Sequence, residues 1–297
     1  MSRTTTGETL GDVFRAMTVS TLTLLVGCSS SSRNSESVEA LVRSEVAKSF
    51  ITEGQYDDGE TYIRGVTLGD KEADTLLSRL DELPSLEELR LSGASLNDQQ
   101  LTALEKLTFL RQLNLGSCQL TDDRMRFLNG FTNLTKLSIA HCPVTDRGLG
   151  SLSEMSNLEQ LELINTKVQG AGFSELEHLP KLRFLALTGS PIGDDGVEGV
   201  KHLSKLETLY LIDTAVTRDG LMKLVDLHWL NSIGLPNKIV GPDNDERIKQ
   251  ENLNQLYRDF CDASIASRQR ARANGENVPT SDDCPFTPAL NELDRNR

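Results

Sequence analysis

Leucines recur along this chain at a fixed interval. Leu86, Leu110, Leu134, Leu158, Leu182, Leu206 and Leu230 stand 24 residues apart, and each opens the pattern L-x-x-L-x-L, as in Leu86-Leu89-Leu91 or Leu158-Leu161-Leu163. Counting each opening leucine as zero, an aliphatic residue returns at offset ten (Leu96, Leu120, Val144, Val168, Ile192, Val216, Val240). Others return at offsets fifteen, eighteen and twenty-one, as Leu149, Leu152 and Met155 do. A spacing of two followed by a spacing of three predicts one short strand and one helix per unit. No such unit can bury its leucines alone. Stacking them predicts a parallel ladder of eight strands about 4.8 Å apart, roughly 34 Å long.

These positions resemble the leucine-rich repeat family over residues 62–241, and the phrase Thr145-Asp146-Arg147-Gly148-Leu149, echoed at Thr121-Asp122 and at Asp194-Asp195-Gly196-Val197, resembles its T-D-x-G-L subtype. The resemblance implies an α/β solenoid of about eight repeats, with a curved parallel sheet on the concave side and helices outside. Helical caps are expected at both ends, because terminal strands expose unpaired backbone groups. Ile63, Val66 and Leu68 read as a degenerate first unit followed by a helix over 72–83, and residues 38–61 as the N-terminal cap, with an amphipathic helix over 38–50. Residues 242–297 read as the C-terminal cap and tail, with one helix over 243–274. It opens on Asp243 and Glu246 as a capping box, carries Leu253, Leu256, Tyr257 and Phe260 on one face, and stops at Gly275. Arg268, Arg270 and Arg272 near its end suit the helix dipole.

Ahead of the repeats, residues 16–27 have the length of a signal-peptide core, and Leu25-Val26-Gly27-Cys28 resembles a bacterial lipobox. That resemblance implies cleavage of residues 1–27, a lipid on the Cys28 thiol, and placement at the outer membrane or cell envelope. Residues 28–37 are serine-rich and read as a flexible tether.

Composition narrows the partner. Thirty-one basic against 44 acidic residues leave a net charge of −13, which disfavours nucleic acid and anionic membrane surfaces. No run of 18 apolar residues occurs, so membrane attachment is expected through the lipid alone. Cys118 and Cys142 share offset eight and read as buried thiols. Cys261 and Cys284 lie outside the repeats and, in an exported protein, are expected to form a disulfide that holds the cap.

Candidate chemistry is sparse. None of the catalytic spacings H-E-x-x-H, G-x-S-x-G, P-loop or C-x-x-C occurs, and no enzyme activity, metal or cofactor is expected. His178 and His202 share offset twenty and read as a surface coincidence; the column Asp98, Asp122, Asp146 and Asp194 reads as helix N-caps. What remains is a surface. Offsets two, four and six point out of the sheet, opposite to the buried leucines. They are mostly polar, but Ile164, Phe184, Tyr210 and Ile212 gather on three neighbouring strands. An apolar cluster rimmed by polar groups marks an interface. The expected function is a monomeric interaction module for a protein partner, the alternative a carbohydrate or cell-wall binder. The C-terminal tail, residues 285–293, is the competing cover for the cluster.

Overall fold

A computed structural model describes residues 37–46, 50–57, 59–83, 85–235 and 250–281, and Val38 onward belongs to one compact unit. Its centre is a sheet of nine strands in sequence order: β1 (Ile51–Gln55), β2 (Thr61–Leu68), β3 (Glu88–Ser92), β4 (Gln112–Gly116), β5 (Lys136–Ala140), β6 (Gln160–Ile164), β7 (Phe184–Ala186), β8 (Thr208–Tyr210) and β9 (Ser232–Gly234). Strands β2 to β9 pair in parallel, in the register set by the 24-residue period: Leu89 lies opposite Leu113, then Leu137, Leu161, Leu185, Leu209 and Ile233. These seven side chains are all buried. Each contributes about 1.5–3 kcal/mol by leaving water, so the ladder is held chiefly by its own core.

On the far side of the core, the residues at offsets fifteen, eighteen and twenty-one form a second buried layer. Met125, Leu128 and Phe131 share one unit, and Leu149, Leu152 and Met155 the next; all are buried. Here the helices are of two kinds. The segments Asp122–Gly130, Asp146–Leu152 and Ala171–Leu176 are 3₁₀-helices, while Asp98–Glu105, Asp194–Val200 and Arg218–Met222 are short α-helices. A spacing of three keeps every apolar residue on one side of a helix with three residues per turn, which is why the 3₁₀ form suits the repeat.

Between strand and helix the chain makes the same turn in each unit. Offset seven has positive φ in six successive units: Gly93, Ser117, His141, Asn165, Gly189 and Asp213. Its backbone N–H donates to the offset-six carbonyl of the next unit, as from Ser117 to Ala140 and from His141 to Ile164, both at 2.8 Å. The left-handed residue swings offset eight inward. There Cys118, Cys142 and Ser190 donate to carbonyls of the preceding unit's strand, Ser190 Oγ to Leu163 at 2.9 Å. Cys118 and Cys142 are free and buried, and burial pushes the Cys118 thiol up to about 12.

The aspartate column requires a correction. The N-caps are the residues one position earlier, Asn97, Thr121, Thr145, Gly193 and Thr217. The Asp carboxylates instead reach the next unit. Asp122 accepts from the backbone N–H and hydroxyl of Thr145 at 2.8 and 2.6 Å, and Asp194 accepts from Thr217 at the same two distances. Asp146 accepts from the N–H groups of Gln169, Gly170 and Gly172 at 3.0, 2.8 and 3.0 Å. Asp98 makes no such link; its side chain is 96% exposed, beside Arg124 at 3.7 Å. The glycine of T-D-x-G follows from this clamp, because a Cβ on Gly148 would stand 2.8 Å from Asp122 Oδ1.

Both ends differ from expectation in part. The helix Val38–Glu45 buries Val38 and Val42, but strand β1 then runs antiparallel to β2, so the N-terminal end is a helix plus a hairpin strand and the sheet gains a ninth member. At the other end the helix Gln250–Ala273 buries Leu256, Tyr257 and Phe260, and Gly275 stops it at φ 80°. Asp243, Glu246 and the expected helix start lie outside the described residues. Arg268 is buried, not a free partner of the dipole: it donates to the carbonyl of Ser281 at 3.2 Å, and Arg272 donates to that of Thr280 at 3.1 Å. Together they fold the chain after Gly275 back along the helix.

Candidate functional site: the open face of the sheet

With the odd offsets buried and the helices behind them, the even offsets of β2 to β9 form the open face. Its first strands are charged and internally paired. Glu88 lies 3.6 Å from Arg64 and 3.8 Å from Arg90, and Lys136 reaches across to Glu162 at 2.7 Å. Toward β9 the character changes. Phe184 and Tyr210 meet edge to face, centroids 5.3 Å apart and planes at 86°. Ile164 and Ile212 lie in one column at offset six, joined by backbone bonds from Asn165 to Thr188 and from Gly189 to Ile212 at 2.8 and 2.9 Å. All four are half-buried. Tyr210 lies over Gly234 of β9, where an added Cβ would meet Tyr210 Cδ1 at 2.6 Å. The missing side chain is what lets the ring lie down.

The remaining sequence candidates fall elsewhere. His178 and His202 sit on the helix side, both exposed and flanking Glu177, with His178 Nε2 at 3.4 Å and His202 Nδ1 at 3.7 Å from its oxygens. No group of three ligands poised for a metal ion exists among the described residues. Trp229 is half-buried off the open face with Lys205 Nζ 5.3 Å from its ring centre. Cys28 and Cys284 lie outside the described residues. Cys261 is buried and is not one of the free thiols, which among the described residues are Cys118 and Cys142.

One polar cluster was not read from the sequence because its members are about 40 residues apart. Ser267 of the C-terminal helix donates to Asp226 Oδ1 at 2.7 Å and meets His228 Nε2 at 3.0 Å. The hydroxyl proton is committed to the carboxylate, so His228 must be the donor in the second bond. That is the reverse of a base activating a serine, and the cluster docks the helix on the last unit. Beside it Arg218 pairs with Asp259 at 2.6 Å, and hydrogen bonds from Gln255 and Arg218 hold the Asp259 carboxyl below its usual range.

No helix among the described residues is long and apolar enough to cross a membrane. A family model described as a leucine-rich repeat matches residues 106–123, 132–153 and 178–200. No curated protein matches the chain. Among solved structures, an internalin (inlF) from Listeria monocytogenes is similar at 24% identity over 61% of this chain and 48% of its own, with a TM-score of 0.44. An internalin C2 from the same organism is similar at 26% identity over 54% of this chain and 65% of its own, with a TM-score of 0.43. The matched region thus spans less than two thirds of either internalin. The matched segments and the parallel ladder in 24-residue register agree: strands β2 to β9 and their helices have a leucine-rich repeat fold.

Proposed function

We propose that this chain is a non-catalytic interaction module that binds a protein partner across the open face of its sheet. The observation that carries the reading is the Phe184–Tyr210 pair on β7 and β8, with Ile164 on β6 and Ile212 in the turn after β8, all half-exposed and outside the leucine core. Aromatic groups fixed on a rigid frame lose little entropy on binding, which makes them effective anchors. A carbohydrate platform is the weaker reading. Sugar rings stack on flat aromatic faces, and here the two rings stand at 86° to each other, so the edge of one occupies the face of the other.

Export and lipid attachment at Cys28 belong to the same proposal. Their support is the order of segments in the sequence: an apolar core ending in Leu25-Val26-Gly27-Cys28, a serine-rich stretch, then the repeats. A module tethered in this way would present its open face to partners in the cell envelope.

The test is capture of a crosslinked partner by wild-type protein and by Phe184→Ala combined with Tyr210→Ala. The paired substitution is expected to lower capture at least tenfold while the melting temperature stays within a few degrees, since both side chains lie outside the core. A large loss of stability with capture intact would show that the cluster is structural.

A further inference from the structure

Charge on the open face is distributed unevenly, and its distribution speaks to the chemistry of what binds there. The chain as a whole carries −13, and one residue in four is charged. Yet the outward positions of β7, β8 and β9 are Phe184, Ala186, Thr208, Tyr210, Ser232 and Gly234, without a charge among them. Strand β6 adds one charge to this half of the face, Glu162, and Lys136 of β5 neutralises it at 2.7 Å. At the rim Arg183 pairs with Glu207 at 2.6 Å, and Glu159 and Asp213 stand beyond the strand ends. The polar groups left around the aromatic pair are uncharged hydroxyls and an amide: Thr188, Thr208, Ser232 and Gln160.

We infer that the occupant of this face is an uncharged polypeptide segment bearing apolar side chains, held by burial against Phe184 and Tyr210 and by neutral hydrogen bonds. A basic segment, the complement the net charge would suggest, finds no unpaired carboxylate on these strands; a charged group brought here would be desolvated without a partner, which is unfavourable. Recognition by burial also differs in kind from electrostatic steering, because it does not weaken as salt screens charges. This inference rests on the reading that the open face binds protein.

The experiment pans a displayed library of random-sequence peptides against the immobilised full chain, and measures binding of the enriched peptides between about 0.01 and 1 M salt, where the screening length falls from about 30 to about 3 Å. Enriched peptides are expected to be apolar and of low charge, to change affinity less than about twofold over that range, and to lose tenfold or more on Phe184→Ser with Tyr210→Ser. Peptides that need the two aromatics but are charged, or weaken tenfold with salt, overturn the inference and leave the binding face standing. Peptides that bind the double variant as well as wild type overturn the binding face itself. Absence of any enriched peptide, or uptake of neutral phosphatidylcholine vesicles through the same two residues instead, also overturns the inference.

Discussion

Replacing Asp146 by alanine isolates the bond between one repeat and the next. In the folded chain its carboxylate accepts from three backbone N–H groups of the following unit, at 2.8 to 3.0 Å. Two of those donors, Gly170 and Gly172, are buried, while Gln169 is exposed. Each buried donor left unpaired costs about 1–3 kcal/mol, so Asp146→Ala is expected to destabilise by about 2–6 kcal/mol. That corresponds to roughly 4–24 °C in melting temperature for a domain of this size, with the loss read independently from urea midpoints. Asp98→Ala is the control. It holds the same place in the repeat, but its carboxylate is 96% exposed and meets only Arg124 at 3.7 Å, so the expected loss is below about 0.5 kcal/mol. Were these residues N-caps, both substitutions would cost about 1 kcal/mol. Equal losses at the two positions would refute the inter-repeat clamp.

Further outcomes follow from the same geometry. Gly148→Ala places a methyl 2.8 Å from Asp122 Oδ1 and 3.0 Å from Val144 Cγ1 and is expected to destabilise by about 1–3 kcal/mol, whereas Gly150→Ala meets nothing within 4 Å and is expected to be neutral or slightly stabilising, both read by thermal unfolding. The Cys118 thiol, raised from 9.0 to about 12 chiefly by burial, contributes stability that is complete below pH 9 and is lost as pH rises toward 12; Cys118→Ala is expected to show a shallower loss over that window in chemical denaturation. Thiol counting under unfolding, non-reducing conditions tests the proposed Cys261–Cys284 bridge: Arg268 and Arg272 return the chain along the helix to Ser281, from which Cys284 has about 10 Å of reach, matching the roughly 10 Å of helix from Arg268 to Cys261. With Cys28 blocked, two reactive thiols are expected, and four would exclude the bridge. Fatty-acid labelling is expected on wild type and absent from Cys28→Ala; labelling that survives the substitution would exclude the lipid site.

The strand ladder was legible because it is written in side-chain volume and period. Leu89, Leu113 and their successors return every 24 residues, and only one register buries all of them. The Phe184–Tyr210 pair on the open face was legible for the same reason, since alternation fixes which side of the strand each occupies, whereas Ile212 lies past the end of β8. Strand β1 was not: Ile-Thr-Glu-Gly-Gln alternates poorly and contains a glycine, and it becomes a strand only by pairing with β2. The left-handed turn at offset seven was equally hidden, because Ser117, His141, Asn165 and Asp213 share a positive φ and no side-chain type. For the aspartates the column was visible but the direction of their hydrogen bonds was not. Nor was the fate of Arg268, whose partner is a carbonyl supplied by the returning chain.

Site-specific photo-crosslinking tests the central claim most directly. A photoreactive amino acid is placed in turn at positions 184 and 210 on the open face and at positions 175 and 198, exposed on the helix side. After irradiation in cells, partner adducts are mapped by mass spectrometry. Adducts at 184 and 210, with none at 175 and 198, are expected if the open face is the binding surface. Adducts confined to 175 and 198 would contradict it and move the interaction to the helices.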